Sequence, residues 1–578
     1  MVYKMESNIK RLGSNVDLLI KNVQVFNTSI CCFQLKDVAL RGHVFYLIED
    51  RLNIEAQQVI DGQGKYMLPG LIDIHTHAES SMTYPAMFYE AVLRHGTTTC
   101  VIDPHEIANV KGLEGVNVFL DNVKNLDIFF GIPSSVPSTN SRLETTGGKI
   151  DLEDVKSLLF HPKIKCLGEV MNFVDMQSEH SKIKEMIALC KKLRPDICIE
   201  GHCPKLSGQD LSYYLYCGVD ADHTQQTPES ILEKTSKGMF IEMQGKSITP
   251  ENIETIVKHG LYEMIAFVTD DTMPHHLVHG HLNEVVKKAV LCGMPIEKAI
   301  YCATYTPARR MHLDDRGMIA PGKQADFILL EDLGNLSCLE VYKMGQKHYP
   351  QVLPQPHFPK DFYHSLQLKP FQLEDFQLPK VKGSHVKVNV IEIFPNSTFT
   401  KRIEEVLEVN EGVINYQKSG LSLICVFERY GKNHHHSYAL VKGAFTQKAA
   451  VATTWAHDHH NFMVMGNKPS LMLQIANAVY EVNGGYGVCT PSQQALTPLP
   501  IGGIVSDQPI EVLGEQLKKV ADLMEKAGYH HMNPIMSFAT LSLPASPEIK
   551  ITDVGMIEVR TQKIIPLIVE EAEHENIS

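Results

Sequence analysis

Several features that would place this chain in other protein classes are missing from its sequence. The chain has 578 residues and a net charge of -13, and it lacks the clustered basic face that nucleic-acid or anionic-membrane binding requires. Its 13 cysteines form no C-x-x-C pair, which predicts reduced thiols in a cytoplasmic protein. The segment Met1 to Leu19 has no signal-peptide core, and no apolar run is long enough to span a bilayer. We expect neither a nucleic-acid nor a membrane partner.

Short strand-like runs alternate with amphipathic helical segments in the first half of the chain. Eight such runs are predicted: Leu71–His77, Thr97–Asp103, Ile128–Pro133, Ile164–Val170, Asp196–Cys203, Gly218–His223, Gly238–Met243 and Ile265–Asp271. Alternation of this kind predicts a parallel sheet, and eight repeats over about 200 residues fit a closed (β/α)8 TIM-like barrel. The rival is an open doubly wound sheet, which more often carries a glycine-rich nucleotide loop. That loop is absent here.

The length of the chain predicts more than one domain. Short strands before the barrel, together with a Pro-Gly turn and apolar strand near residues 317–330, predict a composite β-domain built from 1–68 and 313–350. The barrel is predicted over 69–312 and a proline-rich linker over 351–384. A mixed α/β pattern predicts a separate C-terminal domain over 385–578.

The first barrel strand ends in two histidines with one residue between them. His75 and His77 point to the same side of a strand, because side chains alternate with period two, so both imidazoles can reach one ion. On its own, such a pair is more often a surface or core feature. Whether this pair binds a metal ion depends on which residues end the later strands.

Further metal-ligating residue types follow at the ends of later strands. They are Glu169, His202, His223 and Asp270. With the first two histidines they form a set suited to two divalent cations at the C-terminal mouth of a barrel, where such enzymes build their active sites. A carboxylate such as Glu169 can bridge two cations about 3.5–4 Å apart, and a shared water has its pKa lowered from about 16 towards 7. Asp270 is placed to take the proton from that water.

One other deaminase fold is excluded by the spacing of its motifs. The H-x-E pattern at His77 to Glu79 also occurs in nucleobase deaminases that hold zinc with a P-C-x-x-C segment. This chain has no such segment. The H-x-E pattern therefore does not indicate that fold.

A series of longer motifs runs through the chain: Pro69–His77, Glu79–Met82, His95–Thr99, Asp103–Val110, Gly168–Asn172, Gly201–Pro204, Thr269–Asp271, His457–Asn461 and Leu499–Gly503. In these motifs the chain resembles the adenine deaminase family of the amidohydrolase superfamily. The segments starting at Glu79 and Asp103 are far more specific to this family than the H-x-H pair. The resemblance extends from about Asp17 to the C-terminus.

The resemblance implies a ligand set, a cofactor and a reaction. It implies that His75, His77 and Asp270 hold one metal ion, that His202 and His223 hold the other, and that Glu169 bridges them. Mn²⁺ or Fe²⁺ is expected, and the donor types leave Zn²⁺ open. The implied reaction is hydrolytic deamination of adenine by a metal-activated hydroxide, giving hypoxanthine and ammonia. We also predict a homo-oligomer that serves purine salvage or catabolism.

Three positions depart from the family pattern. Thr224 follows His223 where the family usually has glutamate, and Met243–Lys246 replaces an Arg-Glu-Gly-Ser run. The C-terminal motif, usually Ser-His-Asp-Ser-His-Asn, has Ala456 and His459 in place of its two serines. None of these removes a predicted metal ligand. We expect the first two to lie at the barrel mouth and to influence substrate choice.

A second group of residues is predicted to contact the substrate. It comprises Glu79, His105, Glu106, Asp271, His457, Asp458 and His460. His105 and Glu106 could instead cap a turn, and Asp271 could be a hydrogen-bonded structural aspartate. The histidines near His457 are expected to cover the barrel mouth from the C-terminal domain.

Two functions compete with adenine deamination. The same metal pair could hydrolyse another aminopurine or a cyclic amide or amidine. A non-catalytic relative could act as a binding or scaffold protein, but that hypothesis predicts lost ligands, and all six are present.

Overall fold

The computed structural model describes residues 16–334, 336 and 340–572. Its strands are β1 (Val16–Asn27), β2 (Cys32–Arg41), β3 (Val44–Glu49), β4 (Ala56–Asp61), β5 (Tyr66–Pro69), β6 (Leu71–His77), β7 (Thr97–Ile102), β8 (Ile128–Ile132), β9 (Ile164–Val170), β10 (Cys198–Gly201), β11 (Ala221–Asp222), β12 (Phe240–Gln244), β13 (Ile265–Val268), β14 (Asp270–Asp271), β15 (Phe327–Leu330), β16 (Glu340–Lys343), β17 (Gln346–Lys347), β18 (His385–Phe394), β19 (Ser397–Asn410), β20 (Val413–Ile414), β21 (Ser422–Phe427), β22 (His436–Lys442), β23 (Ala450–Thr453), β24 (Phe462–Gly466), β25 (Gly485–Cys489), β26 (Gln494–Pro498), β27 (Ile549–Thr552), β28 (Gly555–Glu558), β29 (Lys563–Ile565) and β30 (Ile568–Ala572).

The α-helices lie mostly between the strands of the first half of the chain. They are α1 (Pro85–Leu93), α2 (His105–Asn122), α3 (Leu152–Leu158), α4 (Phe173–Met176), α5 (Lys182–Leu193), α6 (Gly208–Tyr216), α7 (Pro228–Ser236), α8 (Pro250–His259), α9 (Pro274–Leu277), α10 (Leu282–Leu291), α11 (Ile296–Arg310), α12 (Pro469–Glu481), α13 (Ile510–Lys526) and α14 (Pro534–Ala539). Local sequence explains several starts. Proline occupies the first turn of α7 and α8, whose preceding threonines accept a backbone N–H as caps. Within the described ranges, no helix combines the length and apolar character needed to cross a membrane.

The first sheet joins segments from both sides of the central region. Its order is β17-β16-β15-β5-β1-β2-β3, with β4 paired to β1. Strand β15 pairs antiparallel with β5, so Phe327 lies opposite Pro69. The Phe327 ring stacks on Tyr342 with 4.4 Å between ring centroids. A separate apolar core stabilises this sheet. The predicted limits of this composite domain stay a prediction.

The central region is a mixed α/β structure with parallel strands. One sheet has the order β10-β9-β8-β7-β6-β14 and another has the order β11-β12-β13. Every ladder in these two sheets is parallel. Apolar side chains on one face of the strands, among them Ile72, Val101 and Val268, pack together in one core cluster. Each strand runs in the same direction, so the residues that follow the strands gather at one edge.

The last predicted barrel strand is interrupted. Strand β13 ends at Val268, and β14 starts at Asp270 and pairs with β6. Asp270 has a φ of 59°, in the left-handed region that side chains with a Cβ rarely adopt. Such a conformation persists only where surrounding contacts hold it. The break turns Asp270 towards the end of β6.

The C-terminal region is richer in β-structure than the predicted mixed α/β domain. A ten-stranded sheet has the order β20-β19-β18-β22-β21-β24-β23-β25-β26, with β30 paired to β18. Strands β27 to β29 form a further antiparallel sheet. The two longest helices of this region, α12 and α13, cover 469–481 and 510–526. Both pack beside these strands. The sequence could not show how many non-local strand pairs surround them.

The predicted linker packs against the protein. It contains two short 3-10 helices, Lys360–His364 and Leu373–Phe376, and Phe362 and Phe376 are fully buried. The C-terminal region also contacts the central one directly. Trp455 Nε1 donates to the Glu79 carbonyl at 3.0 Å, and Asp553 accepts from the backbone and the hydroxyl of Thr145. These contacts bring the loop after β23 to the edge where the parallel strands end.

Candidate metal centre

The histidines at the end of β6 are both buried and face the same side. His77 donates from Nδ1 to the Asp103 carbonyl oxygen at 2.9 Å, which directs its other ring nitrogen into the site. This fixing of the ring by a backbone acceptor is common for metal-ligating histidines. His75 Nδ1 lies 3.4 Å from Glu242 Oε2. The Nε2 atoms of both histidines therefore point to the same place.

Glu169 at the end of β9 lies between two pairs of histidines. Its Oε1 is 3.1 Å from His77 Nε2 and 3.6 Å from His75 Nε2. Its Oε2 is 2.9 Å from His202 Nδ1 and 3.4 Å from His223 Nε2. One carboxylate oxygen thus faces each pair, as a bridge between two cations requires.

Asp270 completes the first pair. Its Oδ1 is 3.4 Å from His77 Nε2, and the Thr76 hydroxyl donates to its backbone carbonyl at 3.1 Å. One candidate donor atom from each of His75, His77 and Asp270 lies within 4.8 Å of the others. The same holds for His75, Glu169 and His223. All six predicted ligands therefore converge.

The donor chemistry fits divalent metal ions. Imidazole nitrogens and carboxylate oxygens suit borderline to hard cations such as Zn²⁺, Fe²⁺ and Mn²⁺. Among the described residues, His75 Nε2, which faces Glu169, has no hydrogen-bond partner although it is buried. Buried polar atoms normally have a partner, and an ion can supply it. The set therefore passes a test of fit for metal binding.

The electrostatics favour the ligating protonation states of His223 and Glu169. Burial, followed by the neighbouring His75, lowers the pKa of His223 to about 3, so its imidazole is neutral. Burial alone would raise the pKa of Glu169, but the surrounding imidazoles, His223 and His202 foremost, hold it well below its usual range. A neutral imidazole and an ionised carboxylate are the forms that bind metals.

The loops that carry His202 and His223 are joined by a hydrogen bond to Asp222, which also forms a buried ion pair. Asp222 lies 2.7 Å from Lys234 Nζ and accepts from the backbone N–H of Cys203 at 2.9 Å. Attraction to Lys234 outweighs burial and depresses the pKa of Asp222 strongly. Because Asp222 precedes His223 and bonds to the neighbour of His202, it fixes both loops.

The structure also shows residues near the site that the sequence analysis missed. Glu242 is fully buried beside His75, and burial raises its pKa well above its ordinary range. Asp103 Oδ2 accepts from the Glu169 backbone N–H at 2.8 Å. The alternation along β12 could have found Glu242, since it is the last but one residue of a predicted strand and lies on the same face as Phe240.

Two of the departures from the family pattern have surroundings that the sequence did not reveal. Thr224 is buried, and its hydroxyl donates to Asp222 at 2.8 Å, so it stabilises the loop that carries His223. Met243 is also fully buried. Lys246, at the end of the same run, is exposed and lies 3.9 Å from Asp270 Oδ2. An effect of these departures on substrate choice stays a prediction.

The residues predicted to contact substrate differ in exposure. Asp271 is partly exposed, and its Oδ1 lies 3.9 Å from His457 Nε2. The Asp271 carboxylate accepts from the Ser80 hydroxyl at 2.5 Å. The other side chains are buried: Glu79, His105, Glu106, His457, Asp458 and His460. The Glu79 carboxylate accepts from the Ile107 backbone N–H at 3.3 Å.

Other histidines lie outside the centre. His281, which directly precedes α10, is buried and shares hydrogen bonds of 3.1 Å with Thr97 and Thr269. The run His434–His436 is exposed, as is His530.

Comparison with known proteins identifies the relatives of this chain. Residues 66–358 match the amidohydrolase family, and residues 397–563 match the adenine deaminase C-terminal domain. The chain is 50% identical over 568 residues to an adenine deaminase of Clostridium perfringens, covering 96% of this chain and 99% of that protein. The chain belongs to the adenine deaminase family. It is also 48% identical over 558 residues to adenine deaminase 2 of Oenococcus oeni, covering 96% of this chain and 98% of that protein.

The family also has solved structures. The crystal structure of an adenine deaminase aligns with 58% of this chain and 99% of its own length, with 18% sequence identity and a TM-score of 0.44. The family assignment confirms the resemblance seen in the sequence and shows an amidohydrolase. It places both the metal-ligand residues and the loop after β23 inside regions that match family members.

Proposed function

We propose that this protein is an adenine deaminase that converts adenine and water to hypoxanthine and ammonia. The observation that carries the proposal is Glu169, whose two oxygens each face a pair of histidines. This arrangement, in a chain of the adenine deaminase family, supports a two-cation hydrolytic site. The two parallel sheets of the central region lie side by side, which also supports a closed (β/α)8 barrel.

The residues that would hold the cations are those with converging donor atoms. We assign His75, His77 and Asp270 to one ion, His202 and His223 to the other, and Glu169 to both. When bound, such a pair lowers the pKa of water to near neutral and so supplies a nucleophile. Mn²⁺ or Fe²⁺ remains our prediction for the ions, and Zn²⁺ also suits these donors.

Asp270 serves as the proton carrier in this proposal. Its pKa is depressed: burial would raise it, but the hydrogen bond with His77 and the neighbouring His223 and Lys246 outweigh burial. The carboxylate is therefore ionised and able to accept a proton. Its Oδ1 faces His77, while Oδ2 faces Lys246 towards the opening. Oδ2 takes a proton from water and delivers it to the amino group that leaves C6.

Asp271 and His457 orient the ring. Adenine offers both N–H donors and ring-nitrogen acceptors, and these two side chains offer a carboxylate and an imidazole near the opening. His457 Nε2 has no hydrogen-bond partner among the residues with described positions, so it is free to contact a ligand. The cytoplasmic location and the homo-oligomeric state remain predictions.

A purine panel tests the proposed function. Protein loaded with Mn²⁺ or Fe²⁺ is given adenine, other aminopurines and cyclic amides, and hypoxanthine and ammonia are measured. We expect ammonia release from adenine to exceed that from every other ring. A Glu169→Gln variant is the inactive control. Faster turnover of another ring would overturn the proposal and favour the alternative amidohydrolase activity.

A further inference from the structure

A second cluster of metal-ligating residue types lies beside the proposed metal pair. It consists of His105 and Glu106, which begin α2, and His457 and Asp458, which follow β23. All four are buried, and one donor atom from each lies within 4.8 Å of the others. The cluster joins the central region to the C-terminal one. We call it the interface cluster.

The distances within the interface cluster are those of ligands around one ion. His457 Nδ1 is 2.8 Å from Glu106 Oε1 and 2.7 Å from Asp458 Oδ1. His105 Nε2 is 3.8 Å from each of the same two oxygens. Donors about 2.0–2.2 Å from a metal ion are separated by about 3.0–3.5 Å in octahedral or tetrahedral sites. The observed values bracket that range.

Two of the four atoms that face one another lack the partners that buried polar atoms normally have. His105 Nε2 and Glu106 Oε1 have no hydrogen-bond partner within the described part of the chain, and neither has His105 Nδ1. His457 Nδ1 and Asp458 Oδ1 are hydrogen-bonded to each other at 2.7 Å. Without a metal ion, protonated imidazoles could balance the negative charges of the two carboxylates. Both ring nitrogens of His105 would still have no acceptor in hydrogen-bond geometry.

Neighbouring side chains orient the residues of the interface cluster, as the residues around a metal site orient its ligands. His460 Nε2 is 2.5 Å from Glu106 Oε2, which leaves Oε1 turned inward. The opposite ring nitrogen of His105, Nδ1, faces Glu169 Oε1 at 3.9 Å and Asp103 Oδ1 at 3.8 Å. Partners of this kind fix ligand orientation in metal sites.

We propose that the interface cluster binds a third divalent cation through His105 Nε2, Glu106 Oε1, His457 Nδ1 and Asp458 Oδ1. Two imidazoles and two carboxylates suit Mn²⁺, Fe²⁺ or Zn²⁺. The ion would hold the loop after β23 against the start of α2 and leave His457 Nε2 directed to the opening. The proposal does not depend on adenine being the substrate.

Metal stoichiometry tests the proposal. The metal-free full-length chain is loaded with Mn²⁺, freed of excess by gel filtration and analysed by mass spectrometry for metal content. We expect three ions per chain in the wild type and two in Asp458→Asn. The matched control is Glu144→Gln, because Glu144 is also a buried carboxylate close to Asp458 but is not a proposed ligand. It should retain three ions.

A crystal structure of the Mn²⁺-loaded wild type provides a second readout that does not depend on the folding of any variant. Anomalous difference density between His105 Nε2 and Glu106 Oε1 is expected. Two ions per chain in the wild type without that density would overturn the proposal, as would three ions in folded Asp458→Asn. If that variant does not fold, the density decides. Adenine turnover is measured separately, so a two-ion chain that deaminates adenine would leave the proposed function standing.

Discussion

At the scale of single residues, this protein depends on side chains whose surroundings fix their protonation state. Asp270 is the sharpest example, since it combines a left-handed backbone with a buried, ionised carboxylate. The ring of His77 is fixed by one backbone carbonyl. Glu169 reaches four imidazoles. Conservative substitutions of these residues should therefore change the reaction rate more than the stability of the fold.

Asp270→Asn should abolish most turnover while the fold persists. The amide cannot accept the proton, and loss of a general base costs about 10²–10⁴-fold in rate. The rate constant for adenine deamination and the far-UV circular dichroism spectrum check this. Wild-type turnover by the variant, at an unchanged metal content, would remove the assigned role.

His281 should make stability depend on pH. Burial, with a smaller effect of His95, lowers its pKa to about 3, whereas unfolded histidine titrates near 6.5. The unfolded chain therefore binds more protons between these values, and stability from this group is lost as the pH falls below about 6.5. His281→Gln removes that contribution.

Urea unfolding of metal-free protein measures the effect of His281. The stability difference between wild type and His281→Gln should fall by roughly 2 kcal/mol from pH 7 to pH 5. A difference that stays constant over this range would show that His281 is not held neutral. The glutamine side chain keeps a hydrogen-bond donor and an acceptor for Thr97 and Thr269. The substitution therefore removes the titrating group with little other effect on stability.

At the scale of elements, the site is assembled by the loops that follow parallel strands. Strands β10 and β11 end just before His202 and His223, and Asp222 ties the two loops together. Its partner Lys234 comes from α7, so a helix outside the strands stabilises a loop at the site. Local strand patterns indicate where such loops start but not which distant cation neutralises them.

Lys234→Met should destabilise the protein and weaken metal binding. It leaves the Asp222 carboxylate buried without its cation, which typically costs about 3–5 kcal/mol. Thermal unfolding of the metal-loaded and metal-free protein provides the measurement. Lys519→Met, which removes a solvent-exposed pair with Glu515, is the control and should change nothing measurable. Equal effects of the two substitutions would contradict the role of Lys234.

At the scale of the whole molecule, the C-terminal region is part of the site. Trp455 and Asp553 contact the central region, and the loop after β23 brings His457 next to Asp271. The ligand set draws on residues separated by almost 200 positions, from His75 to Asp270. Bound cations should therefore stabilise the folded chain as a whole.

Removal of metal should lower the unfolding temperature and abolish deamination together. A ligand bound only by the folded state stabilises it by about 4 kcal/mol at 1,000 times its dissociation constant. Chelation followed by dialysis, then addition of Mn²⁺, should reverse both changes. An unfolding temperature that chelation leaves unchanged, in a protein shown to have lost its metal, would contradict this coupling.

The sequence by itself determined the strand pattern, the family and the six residues that converge. The strand pattern and the metal-ligating residue types at the strand ends follow from local rules, because period-two alternation and strand-end positions depend on neighbouring residues such as His75 and His77. The family followed from the resemblance of whole motifs. Tertiary structure alone decided that Glu242 contacts His75, that Thr224 bonds to Asp222, and that the C-terminal region is mainly β-structure. These features arise from contacts between residues far apart in the chain, whose pairing and burial no local pattern encodes.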